Sequence, residues 1–156
     1  KMTEMTTETK TTTMTTTAAA DSSISSPRGE YTLAWAAPEL IAGGHATKCS
    51  DVYALILVLW EVLHPGELPF DDPADSYWKM EQKIQEGERP SLEGLEAMVA
   101  RSISEKDYNR LMLHNMTSKL RTMFEECWDH DPVKRWSAEN IVEVLSDLLL
   151  QLQHEN

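Results

Sequence analysis

Between Val52 and Leu63 the chain carries Val52, Tyr53, Leu55, Ile56, Leu57, Val58, Leu59, Trp60 and Val62, with Glu61 as the only charge. Such a segment reads as a helix that is apolar nearly all round, and a helix without a polar face has to be surrounded by protein. The run falls short of the roughly 20 residues that a membrane span needs. Ser50 is the expected cap, Asp51 lies at the positive end of the dipole, and Pro65-Gly66 stop the helix near Leu63. A chain with this segment must therefore build other helices to wrap it.

The surrounding punctuation supplies them. Pro38 opens a short helix that Gly43-Gly44 close. Asp72-Pro73 open another, with Tyr77, Met80 and Ile84 as its apolar stripe, and Gly87 with Pro90 end it. Residues 91 to 117 are weakly patterned and read as a loop with a short helix. Ser118 precedes a helical face of Leu120, Met123, Phe124, Cys127 and Trp128, which Asp131-Pro132 break. Ser137 caps a last helix with Ile141, Val144, Leu145, Leu148, Leu149 and Leu152 at the same spacing. Nothing from residue 29 onward calls for a sheet. The expected fold is mainly α, with four main helices and a wholly buried central one.

The first 28 residues differ from the rest. Thr alternates there with Met, Glu and Lys, and Ser22, Ser23, Ser25 and Ser26 follow. So little apolar surface cannot offset the entropy of ordering, and the segment 1–28 is expected to be disordered. A domain over 29–153 follows. The chain starts at Lys1 rather than Met and reads as a piece of something longer.

Charge and cysteines exclude several function classes. Acidic residues outnumber basic ones 26 to 14, a net charge of −12, which phosphate backbones and anionic membrane surfaces repel. Neither nucleic acid nor membrane is an expected partner. Cys49 and Cys127 are too few for a disulfide framework or a four-ligand zinc site, and the Cys127–His130 spacing lacks a second pair. No apolar leader precedes them, so an intracellular, cytoplasmic setting with reduced thiols is expected.

Five short motifs then stand in order: Trp35-Ala36-Ala37-Pro38-Glu39, Asp51-Val52-Tyr53-Ala54 with Leu59-Trp60-Glu61, Gly66-Glu67-Leu68-Pro69-Phe70, Gly87-Glu88-Arg89-Pro90, and Cys127-Trp128 leading through Asp131-Pro132 to Arg135. Together they resemble the W-x-A-P-E, D-V-[WY]-[SA]…L-W-E, G-x-x-P-F, G-x-R-P and C-W-x-x-D-P-x-x-R of the second half of a eukaryotic protein kinase domain. The C-W and L-W-E forms are similar to those of tyrosine kinases and tyrosine-kinase-like serine/threonine kinases. The resemblance implies a helical C-lobe fold. It implies that Glu39, beside Ala37 and Pro38, pairs with Arg135, and that Asp51 accepts hydrogen bonds from the catalytic-loop backbone. It places Thr32 and Trp35 in the loop that receives the protein substrate.

The same resemblance defines what is missing. No G-x-G-x-x-G loop, V-A-I-K lysine, H-R-D-x-x-x-x-N or D-F-G occurs in the 156 residues, and phosphoryl transfer needs all of them. A complete kinase would use ATP and Mg²⁺, whereas this chain alone is expected to bind neither and to lack catalytic residues. Ile56 and Tyr31 stand where the family has Gly, and Trp136 where it has Pro. The expected function is the C-terminal part of a protein kinase that phosphorylates protein serine or threonine, with tyrosine open, and whose partner is the missing N-terminal half of the domain. The alternatives are a pseudokinase-like interaction module and an inert gene fragment.

Overall fold

A computed structural model describes residues 32–70, 72, 75–103 and 109–154. The expected disorder of residues 1–28, the four serines and Tyr31 lie outside the described residues. Within them the chain is helical and has no strand.

A 3₁₀ turn, Leu33–Trp35, leads into α1, Pro38–Ile41. The central helix α2 runs Lys48–Leu63 and starts three residues before the expected place. Thr47 is its cap, not Ser50. Ser50 occupies the third helical position of a capping box, donating its N–H to Thr47 Oγ1 at 3.3 Å while its own Oγ accepts from the Thr47 N–H at 2.7 Å. Two hydroxyl residues three apart satisfy two orphan donors, which is why the helix reaches back to Lys48.

α2 is not wholly buried. Val52, Tyr53, Ile56, Leu57 and Trp60 are, but Leu55, Val58 and Val62 are 43, 45 and 69 % exposed. These three lie at the i, i+3, i+7 spacing of one helix face. Ile56, in the position where the family has Gly, is accommodated within the core at 0 % exposure.

The helix expected from Asp72-Pro73 begins later, as α3 over Tyr77–Gln85, capped by Ser76. Asp75, just before it, pairs with Lys79 at 2.6 Å and Lys83 at 2.5 Å. Tyr77 is 61 % exposed and drops out of the stripe, leaving Ile84 and Met80 to pack with Leu33, Ala36 and Ile41 in a small satellite core.

Residues 91–117 depart most from expectation. They contain α4, Leu95–Ser102, and the first turns of α5, Arg110–Cys127. Gly94 caps α4 at φ 74°, a left-handed conformation. Asn109 caps α5 by accepting from the Leu111 N–H at 2.9 Å. Leu95 and Val99 of α4 pack with Leu113 and Met116 of α5 in the main core. Ser118 is therefore interior to a helix rather than its start. α6, Ala138–His154, begins where Ser137 predicts: Ser137 Oγ accepts from the Asn140 N–H at 3.4 Å and Asn140 Oδ1 accepts from the Ser137 N–H at 2.9 Å.

The main core gathers α2 against α5, with Phe124 and Trp128 ring centroids 5.4 Å apart and Met123 and Cys127 beside them. Phe124→Ala should cost roughly 3–5 kcal/mol of unfolding free energy, because the ring is 0 % exposed and its cavity cannot collapse fully. Thr47→Ala, which removes one cap, should cost about 1 kcal/mol. Urea unfolding of both variants checks the ratio.

Candidate functional site

The segment that carries Glu39 turns sharply. The Trp35 N–H donates to the Thr32 carbonyl at 3.1 Å, and Pro38 then sets the first turn of α1 with Glu39 inside it. The Gly44 N–H donates to the Glu39 carbonyl at 2.8 Å, and a Cβ at Gly44 would meet that oxygen at 2.7 Å. Only glycine permits the chain to close over Glu39 in this way.

Across from it lies Arg135, whose side chain is 0 % exposed. Its Nη1 donates to Glu39 Oε1 and its Nη2 to Glu39 Oε2, both at 2.7 Å. Nη1 also donates to the Cys49 carbonyl at 3.0 Å, and Nε to the Asp129 carbonyl at 2.8 Å. The fork geometry of a guanidinium fits a carboxylate this way, and the charge-assisted pair is shorter and stronger than a neutral hydrogen bond.

The pair is only part of the cluster. The Arg135 guanidinium stands 4.9 Å from the Tyr53 ring centroid, and Arg89 stands 5.1 Å from the same ring. Arg89 Nε donates to the Trp128 carbonyl at 2.8 Å, and its Nη1 to that of Ile84 at 3.3 Å. Burial pushes the Tyr53 hydroxyl up to about 12, a rise that the two arginine charges oppose. Burial also lowers Arg89 from its ordinary value, and Tyr53 acts against that shift. Two cations stand over a neutral phenol whose π system attracts them. Sequence reasoning singled out Glu39 and Arg135 but missed Tyr53 and Arg89, although both sit within the quoted motifs.

The remaining predicted residues are spread around this cluster. Ala37 and Pro38 are buried beneath it. Thr32 is exposed at the start of the 3₁₀ turn, and Trp35 is half-buried, its buried indole Nε1 having no hydrogen-bond partner among the described residues. Asp51 is exposed in the first turn of α2 and does not join Glu39 and Arg135. The thiol of Cys127 is pushed up to about 12, mainly by burial and secondly by the Glu126 carboxylate, so it packs as a small hydrophobe.

Four of the five motifs thus meet around one ring and one guanidinium: Glu39, Tyr53, Arg89, and the Trp128 carbonyl with Arg135. The family model for protein tyrosine and serine/threonine kinases matches residues 10–145. The chain belongs to this family. It is 24 % identical over 131 residues to mitogen-activated protein kinase kinase kinase 7 of Homo sapiens, covering 84 % of this chain and 18 % of that protein. It is 34 % identical over 124 residues to activin receptor type-2B of Xenopus laevis, covering 75 % and 24 %. It is 29 % identical over 124 residues to the probable serine/threonine-protein kinase roco7 of Dictyostelium discoideum, covering 78 % and 4 %. The chain spans less than a quarter of the length of these curated relatives. Among the described residues no helix is long and apolar enough to cross a membrane.

The family implies ATP and Mg²⁺ for the complete kinase domain. Among the described residues no three or more His, Cys, Asp or Glu side chains gather to hold a metal ion, and the Glu39 carboxylate is committed to Arg135. The cluster's chemistry is structural: it clamps α1 to α2 and to the loop after α5.

Arg135→Ala should cost roughly 3–5 kcal/mol in denaturant unfolding, since it strands the Glu39 carboxylate in a partly desolvated site. The unfolding free energy should also fall between pH 9 and 12. Cys127 and Tyr53 rise on folding from 9.0 and 10.0 to about 12, so the folded state holds protons that the unfolded chain releases. Their contribution is complete below the unfolded values and is lost as pH climbs toward 12. Tyr53→Phe should make that decline shallower in pH-dependent thermal melts.

Proposed function

We propose that residues 29–153 are the C-terminal part of a protein kinase domain that, when complete, transfers the γ-phosphoryl group of ATP to protein serine or threonine hydroxyls with Mg²⁺. The observation that carries this reading is the Arg135–Glu39 clamp at 2.7 Å, which the A-P-E and D-P-x-x-R motifs exist to make. In this reading Thr32 and Trp35 face the protein substrate, and exposed Asp51 meets the catalytic-loop backbone. Phosphoryl transfer depends on the missing half, because positioning and charge stabilisation come from motifs outside these residues.

The exposed face of α2 supports that partner. Leu55, Val58 and Val62 form an exposed apolar row on the core helix, a surface suited to packing against the N-terminal half of the domain. Free Cys49 and Cys127 support a reducing intracellular setting.

A second reading, a non-catalytic interaction module, draws on α3, where neighbouring Tyr77 and Trp78 are 61 and 68 % exposed. Aromatics of this kind anchor protein interfaces.

Sequencing the transcript upstream of Lys1 separates the two. Coding sequence with G-x-G-x-x-G, V-A-I-K, H-R-D and D-F-G is expected, and the extended protein should transfer phosphate to a generic protein substrate while the 156-residue chain does not. Upstream motifs that are mutated or absent would hand the function to the interaction reading. Co-expressed N-terminal half should co-purify with this chain, and Val58→Glu should abolish the capture while leaving the helical circular dichroism unchanged.

A further inference from the structure

α6 carries more apolar residues than its packing on the core uses. Ile141 and Leu148 are buried in the main core, and Val144 and Leu152 pack against it half-buried. Val142, Leu145 and Leu149 remain 61, 37 and 56 % exposed. They stand at the i, i+3, i+7 spacing of one helix face, and Leu152 continues the row at the next step of three. Alternating steps of three and four residues form the seam along which one helix packs on another. None of the five kinase motifs lies on α6.

The flanks of the row decide what fits it. At 3.6 residues per turn, Glu143 and Asp147 fall well round the helix from the row, and Asp147 pairs with Lys119 of α5. Glu139 is the one acidic residue of α6 beside the row, and the Ser137 hydroxyl, its own backbone N–H and the Lys48 charge hold its carboxyl below the usual range. Ser146 and Gln153 make up the rest of that flank. A basic partner helix would find little to pair with here, whereas a neutral apolar seam fits another of its own kind. Turned antiparallel about Ser146, two such rows are self-complementary. Leu145 then faces Leu149 of the second copy, Val142 faces Leu152, Glu139 faces Gln153 and Ser146 faces Ser146, so no like charges meet.

We propose that a second copy of this chain covers the row, α6 pairing antiparallel with α6 in a two-fold dimer. The 17-residue helix is about 25 Å long, so the contact lies at the small end of specific interfaces and a dissociation constant in the micromolar range is expected. The pairing uses none of Leu55, Val58 and Val62, so it stands or falls separately from the kinase reading.

Sedimentation equilibrium of the 156-residue chain is the test. A monomer–dimer equilibrium is expected, and it should tighten as salt rises, because screening relieves the repulsion between two chains of net charge −12. Leu149→Glu should weaken the dimer by at least roughly tenfold with the helical circular dichroism unchanged, since that side chain is already exposed. Leu149→Met should retain the dimer, and so should Val58→Glu. Nitroxide labels on Ala138→Cys in a Cys49→Ser background should lie roughly 25 Å apart in the dimer, and labels on Ser146→Cys much closer together. Three results would overturn the proposal: a chain that stays monomeric up to roughly millimolar concentration; a dimer that Leu149→Glu leaves unchanged or that Val58→Glu abolishes; or Ala138 labels as close together as those at Ser146, which marks parallel pairing.

Discussion

A guanidinium with no exposed surface has to be fully satisfied, and Arg135 imposes that demand on the whole molecule. Its donors reach Glu39, Cys49 and Asp129, so three separate backbone regions have to arrive together before the charge is compensated. The pair spans 96 positions of sequence. A buried ion pair contributes little over an apolar replacement, because desolvation offsets the attraction. Its value lies in specificity: few arrangements of these helices satisfy the fork, and misplacing any one of them strands a charge.

Tyr53 shows how the clamp is coupled to the core. The residue lies on the buried face of α2, and its ring meets both Arg135 and Arg89 while its neighbours Ile56 and Leu57 join the apolar cluster. Apolar packing thereby positions the ring, and the ring positions both cations. The high value of its hydroxyl follows from burial that the two positive charges only partly offset.

The helices were legible in the sequence where local signals agreed. Ser137 at the head of α6, Pro38 at the first position of α1, and the Phe124-to-Trp128 face all appear where spacing and capping chemistry place them. The clamp residues were legible only through motif resemblance, since nothing local distinguishes Glu39 from the other acidic residues. The region from 91 to 117 was not legible, because α4 begins on a left-handed glycine and α5 on an asparagine cap within a polar stretch. Its helices are held by contacts between Leu95, Val99, Leu113 and Met116 rather than by one long apolar stripe. The same hydroxyl chemistry misled at α2, where Ser50 caps in partnership with Thr47 instead of alone.

By itself the sequence determined that the chain is helical, that α2 is central and that the motifs belong to a protein kinase lobe. Periodicity, caps and motif order are local or linear properties, and they survive without a third dimension. Only the tertiary structure decided that Tyr53 and Arg89 complete the Arg135 cluster, that Tyr77 faces outward, and that Leu55, Val58 and Val62 stay uncovered. Burial is a property of what packs against a residue, and an apolar side chain reads the same in sequence whether its neighbour is present or not.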